Sequence, residues 1–292
     1  MTNKNLISNF YVAFAQGNLD EILAYVTEDF IMHVPGKGLN AGEYWGKGGF
    51  KKFLVNISSY SGGEFLLSVP VVAVNGDVIY TREEIIMNRK DNPAQKWTLR
   101  FIMHYKIKDS LISEAWTIPM DPEVYDAYWT PGSAFQVAEK GESTIDAIHT
   151  QPAEEKIIEN YNIVNQFYHF FWKNDLAAMS KLAASDFLFT VPGKSFLAGK
   201  YRNWSGYENF RNRLISDVAG DKYKLELDSI AASENEVFVK EYIRMNRNWD
   251  AKVHTSYVIL HFIIHEGKIT QVNDVPVDSM TYDDFFTKPN SY

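Results

Sequence analysis

Three acidic side chains stand where acidic side chains are costly. Between Val78 and Arg89 every second residue reads Ile79, Thr81, Glu83, Ile85, Met87, and a later stretch reads Val237, Val239, Glu241, Ile243, Met245. Such alternation marks a strand with one apolar face. A glutamate therefore occupies the apolar face at the same place twice. If that face lines a pocket, burial raises the carboxyl pKa and equips it for proton transfer. The competing reading is a glutamate neutralised by Arg82 or Arg244. Asp274 is the third acid, on a late strand where the matching earlier residue is Thr117. It reads either as an acid/base group or as a strand-end residue capping a turn. A fourth candidate is His33, inside the phrase DFIMHVPGKGLNAGEY at 29–44. The phrase returns as DFLFTVPGKSFLAGKY at 186–201, with Thr190 in place of the histidine.

Other chemistries find no residues to run them. The 292-residue chain has no cysteine, which removes thiolate nucleophiles and thiolate metal sites and suits a reducing cytoplasm. His261 and His265 lie on an expected strand, where i and i+4 do not meet as they do on a helix. No metal site and no cofactor is expected. Gly193-Lys194-Ser195 resembles the end of a phosphate loop, but the position that needs the first glycine is Leu188. A net charge of −8 argues against a nucleic-acid partner. No apolar run is long enough for a membrane span. Aromatic residues reach 15%, which suits ring-lined apolar pockets.

The elements that hold these residues come in two sets. From Asn9 to Tyr44 against Gln166 to Tyr201, thirteen positions are identical without a gap, among them Phe10/Phe167, Tyr11/Tyr168 and Pro35/Pro192. The match resumes at Met87-Asn88-Arg89 with Met245-Asn246-Arg247, then at Pro119/Pro276, Asp121/Asp278 and Tyr125/Tyr282. The spacing fits a duplicated domain. The expected division is a first domain over 1–130, a linker over 131–153 rich in small and polar residues, and a second domain over 154–292. Within the first copy, Asn3 or Asn5 caps a helix with Ile7, Phe10, Tyr11 and Phe14 on one face. A second helix covers 19–26, a strand 29–34 and a third helix 46–60. Strands then cover 64–74, 78–89, 96–108 and 111–119. Helices followed by a run of strands give an α+β fold: two tandem cone-shaped domains, each with N-terminal helices packed on a curved antiparallel sheet.

The Ala15-Gln16-Gly17-Asn18-Leu19-Asp20 turn, the His33-Val34-Pro35-Gly36 phrase followed by Gly42 and Tyr44, and the Ile112, Glu114, Trp116 strand resemble the SnoaL-like family. That family belongs to the nuclear transport factor 2-like superfamily, which includes ketosteroid isomerases. The resemblance covers both halves. It implies the cone fold, while the activities it carries range over isomerases, cyclases, dehydratases and non-catalytic binders. Ketosteroid-isomerase relatives place an Asp base before the first-strand proline, a Tyr on helix one and a protonated Asp on the long strand, an enzyme that serves as a standard worked case of carboxyl pKa tuning. Those roles fall here on Val34 and Val191, on Phe10 and Phe167, and on Met103 and Leu260. All are apolar, so that mechanism is not expected. With Phe14 and Phe171 they are expected to line the two pockets.

The expectation is therefore a hydrophobic small-molecule protein. It acts either as a cofactor-free cyclase, isomerase or dehydratase on a polyketide- or terpenoid-like substrate, or as a non-catalytic binder or interaction scaffold. Glu83, Glu241, Asp274 and His33 are the catalytic candidates, although alternation points His33 away from the inner position of Val34 and it is expected to be structural or at the pocket rim. His104 and His261 alternate out of phase with Met103 and Tyr105, so they belong to the outer face. An apolar outer face suggests an intrachain pseudo-dimer of the two domains, with a further homodimer open.

Overall fold

The computed structural model describes residues 2–133, 154–219, 223–250 and 252–287. The chain divides into two compact units, Met1–Thr150 and Gln151–Tyr292. The expected linker lies outside the described residues from 134 onward.

The first unit begins with α1 (Asn3–Ala15) and α2 (Leu19–Ala24). Thr2, rather than Asn3 or Asn5, caps α1 by accepting from the Asn5 amide. Next come β1 (Val26–Val34), β2 (Gly42–Trp45), α3 (Gly46–Tyr60), β3 (Ser61–Asn75), β4 (Val78–Arg89), β5 (Asn92–Lys108), β6 (Leu111–Pro119) and α4 (Pro122–Tyr128). The second unit repeats the order with α5 (Glu154–Trp172), α6 (Leu176–Ser180), β7 (Ala183–Val191), β8 (Gly199–Arg202), α7 (Asn203–Arg213), a π-helical turn over Leu214–Ala219, β9 (Lys224–Ala232), β10 (Glu236–Asn246), β11 (Val253–His265), β12 (Lys268–Pro276) and α8 (Ser279–Phe286).

Each unit holds one six-stranded sheet, ordered β2-β1-β6-β5-β4-β3 and β8-β7-β12-β11-β10-β9. The pairing is antiparallel except for β1 on β6 and β7 on β12. Each unit is thus α+β, with helices against a curled sheet. Register shifts help the sheets curl. One lies between Ser68 and Val71, and another between Lys240 and Glu241, beside a candidate acid. Lys240 pairs with Asp228 at 3.2 Å, while Glu241 joins the inner face.

A closing helix in each unit was absent from the sequence reading, although its caps were visible. Asp121 and Asp278 cap α4 and α8 through the amides of Val124 and Thr281. Each closing helix is then tied down twice. Asp126 accepts from the Lys37 amide at 3.1 Å, and Asp283 from the amides of Lys194 at 3.0 Å and Ser195 at 3.2 Å. This explains the repeated Pro-Gly-Lys. Gly36 and Gly193 have φ of +98° and +93°, and a Cβ would sit 2.2 Å and 2.3 Å from those aspartates. At the far end, Arg89 donates to the carbonyls of Ala127 and Thr130, and Arg247 to those of Asp284 and Phe285. Asp91 and Asp250 orient the two guanidinium groups. The repeated Met-Asn-Arg thus serves the last carbonyls of a helix, where cations are favoured.

Candidate functional site

The inner faces of both sheets, with α1 and α3 or α5 and α7, enclose apolar cavities. Helical spacing supplies Phe10 and Phe14 from α1 and Phe50, Phe53 and Ile57 from α3. Strand alternation supplies Leu99, Phe101, Met103 and Tyr105 from β5. The first cavity measures about 80 Å³ and the second about 310 Å³. The second reaches the size of small-molecule sites, roughly 300 Å³ and above. Part of the difference is one ring: Phe101 is matched by Val258. In the first unit a separate, more open pocket of about 410 Å³ shares Phe14, Ile57 and Phe65 with the first cavity but not Glu83.

In the first cavity Glu83 is enclosed by hydroxyls. Its Oε1 accepts from Tyr11, from Thr81 at 3.2 Å and from Tyr105 at 3.3 Å. Tyr11 in turn lies 2.8 Å from Thr81 and 2.7 Å from Tyr105. Burial lifts the carboxyl to about 7, against the pull of these three donors. The partner expected from sequence, an arginine, is replaced by hydroxyls.

The second cavity keeps the glutamate and strips its surroundings. Val239 stands where Thr81 stood, and Phe262 where Tyr105 stood. Among the described residues Tyr168 alone donates to Glu241 Oε1. Burial raises Glu241 to about 8, and the charge of Asp274 adds to the rise. Asp274 also faces this cavity and is lifted by burial to about 7. Its Oδ2 accepts from Tyr282 at 3.1 Å, while its Oδ1 is buried without a hydrogen-bond partner among the described residues. Unlike the exposed strand end considered from sequence, Asp274 is buried. Tyr207 and Tyr223 complete the wall near the two acids.

The structure separates the remaining candidates. Phe10, Phe14 and Met103 line the first cavity, and Phe167, Phe171 and Leu260 the second. Val34 and Val191 do not; they are buried in the two cores at strand ends. Met32 and Phe189, two residues earlier, take the inner place. His33 is likewise corrected. As a catalytic candidate it is withdrawn, and it takes the structural alternative on the outer face, bonded to Glu114 at 2.9 Å and Glu43 at 3.2 Å and stacked on Trp116 at 4.8 Å. Alternation across the strand puts it opposite Met32, and its partners lie on β6 and β2. His104 stacks between Tyr80 and Trp116 on the same face. In the second unit this row becomes polar, with His261 bonded to Glu236 at 2.7 Å and to Asn273 at 3.1 Å.

Sequence reasoning missed the tyrosines. It tested Phe10 for the hydroxyl role, but neighbouring positions on a helix can both reach one cavity, and Tyr11 carries the hydroxyl. The available signal was the identity of Tyr11 with Tyr168 and of Tyr125 with Tyr282 in the repeat.

Among known proteins, the SnoaL-like domain family matches residues 7–115. No curated protein matches the chain. Among solved structures, Bal32a from a soil-derived mobile gene cassette is 18% identical, covering 45% of this chain and 98% of its own, with a TM-score of 0.42. A nuclear transport factor 2-like protein of unknown function from Burkholderia pseudomallei K96243 is 17% identical over 44% of this chain and 98% of its own, at 0.40. A putative SnoaL-like polyketide cyclase from Jannaschia sp. CCS1 is 9% identical over 48% of this chain and 99% of its own, also at 0.40. No helix among the described residues is long and apolar enough to cross a membrane. Residues 7–115 of the first unit match the SnoaL-like domain family, and the second unit repeats the first unit's order of elements strand for strand.

Proposed function

We propose that the second unit is a cofactor-free acid/base site for a hydrophobic carbonyl compound of polyketide- or terpenoid-like character, and that the first unit is its non-catalytic counterpart. The observation that carries this reading is the pair of buried carboxyl groups in one open cavity, Glu241 and Asp274, both raised towards neutrality. Two interacting acids titrating near pH 7 share the roles of base and acid as a pair. The ionised member takes a proton from the carbon beside the carbonyl. The protonated member gives one to the carbonyl oxygen, so no net proton enters or leaves. The resulting enol serves isomerisation, aldol cyclisation or dehydration alike. Asp274 Oδ1, unpartnered, keeps a lone pair for this work. Glu83, by contrast, has its Oε1 taken up by three hydroxyls in a cavity of about 80 Å³. A cytoplasmic setting is part of the proposal, supported by a chain without cysteine.

The test is turnover of a panel of aromatic and alicyclic ketones and 1,3-diketones, followed by exchange of the α-hydrogen for deuterium. Glu241→Gln and Asp274→Asn are each expected to slow exchange by about 100-fold or more, and Glu83→Gln to leave it nearly unchanged. Equal exchange in wild type and both second-unit variants would reject the assignment. Binding of the same ketones without exchange would leave a ligand-binding protein.

A further inference from the structure

The helix that walls the second cavity carries one residue that an apolar wall does not require. Tyr207, Phe210, Arg211 and Leu214 all line the cavity, at the i, i+3, i+4, i+7 spacing of a single helical face. The corresponding stripe in the first unit is Phe50, Phe53, Leu54 and Ile57. Phe50, Phe53 and Ile57 line the first cavity and Leu54 the more open pocket beside it, so a leucine next to the cavity has become an arginine on the cavity lining.

The exchange has a companion. Gly17, in the turn after α1, has a left-handed φ of +66°, and the residue at that place in the second unit is Asn174, with φ +56°. Asparagine tolerates this conformation better than other side chains and brings an amide. That amide oxygen accepts from Arg211 Nη2, and both residues line the cavity. Gly17 and Leu54 have together become Asn174 and Arg211, so the arginine is fastened at the solvent-facing edge of the cavity.

Among the described residues its charge is unanswered. Arg89 and Arg247 face Asp91 and Asp250. Among the described residues Arg211 pairs with no carboxylate, and its hydrogen-bond partner is the neutral Asn174. It is half-buried, and it is the lysine- or arginine-type residue of this lining; the first cavity has none. Tyr207 and Tyr223 lie within electrostatic reach of Arg211 and of Glu241 and Asp274 as well. A molecule filling the cavity therefore spans from the two acids to the guanidinium.

We infer that Arg211 is the specificity determinant of the second site, and that the ligand is an apolar molecule bearing a carboxylate or a similarly shaped anion at the Arg211 end. A planar guanidinium matches a carboxylate with two parallel hydrogen bonds. This rests on the proposed ligand-binding role of the second cavity and narrows it to an oxo acid or its anion-bearing analogue.

The test uses two probes of one shape, 2-naphthoate and the neutral 2-naphthamide, titrated calorimetrically into the full chain. Wild type is expected to prefer the naphthoate by about tenfold or more. Arg211→Leu, the residue the first unit carries, should remove that preference and leave naphthamide affinity within about twofold. Arg211→Lys, which keeps the charge and loses the fork, should fall between. Equal preference in wild type and Arg211→Leu would overturn the assignment. So would an equal loss of both probes in Arg211→Leu and Arg211→Lys, since that marks a collapsed cavity wall. Binding of neither probe by wild type would overturn the ligand-binding reading itself and the proposal with it. Loss of ketone exchange in Glu241→Gln with naphthoate preference intact keeps the two questions apart.

Discussion

Replacing Glu241 by glutamine gives a pH-dependent change in stability whose sign is fixed by the site. The carboxyl titrates near 4.5 when the chain is unfolded and at about 8 when burial and Asp274 act on it. The folded state therefore holds its proton over a range where the unfolded state has lost it. Its stabilising contribution is complete below pH 4.5 and is lost as pH rises towards 8. At about 1.4 kcal/mol for each pH unit, the limit is about 5 kcal/mol. Water entering the open cavity and relaxation around the ionised group reduce this, and about 2 to 3 kcal/mol is expected. Glutamine has nearly the shape of the protonated acid and keeps an oxygen to accept from Tyr168. The variant should match wild type near pH 4.5 and become progressively more stable than wild type up to pH 8. Urea denaturation at half-unit steps of pH, following the transition of the second unit, measures the difference. A gap between the two proteins that stays constant across this range would refute the burial argument. A gap that opens in the reverse direction would mean that the folded protein stabilises the ionised form.

Two further predictions concern closure and the first cavity. Gly193→Ala should destabilise the second unit by about 1 to 3 kcal/mol, because the residue is left-handed and its Cβ would meet Asp283; Gly199→Ala, with φ +150° and open space around it, should cost less, and equal losses in thermal denaturation would count against the steric account. Tyr11→Phe removes the first donor to Glu83, so the carboxyl should titrate above about 7 and the unit should lose about 1 to 2 kcal/mol; carboxyl-carbon NMR titration reads the first effect, and a downward move would refute it.

Much of the architecture could be read from periodicity. Ile79, Thr81, Glu83, Ile85 and Met87 announced an inner strand face, and the structure places Glu83, Ile85 and Met87 on the cavity. The short strands β2 and β8 and the helices α4 and α8 were not foreseen. Four residues such as Gly42 to Trp45 carry too little alternation to register, and α4 follows a proline that reads as a strand end. At the site, chain order gave the acids but not their partners. Which hydroxyl meets a buried carboxyl depends on the rotation of α1 against the sheet, and that is set by packing. Alternation already turned His33 away from the inner face, but its two glutamates lie on neighbouring strands, invisible to local spacing. Arg211 could be seen only by laying the two copies side by side and asking which inward position had changed character.

The double fastening of α4 and α8 has a consequence for how such a chain diversifies. The Pro-Gly-Lys turn and the arginine of the Met-Asn-Arg segment hold the roof from two sides, and neither lines a cavity; of these segments only Met87 and Met245 do. Closure and contents are thus separate inheritances. After duplication, one chamber could exchange threonine for aspartate, leucine for arginine and phenylalanine for valine while its frame stayed under the same instructions. The pair behaves as a cassette and its spare, in which new contents can be tried without reopening the problem of how the container shuts.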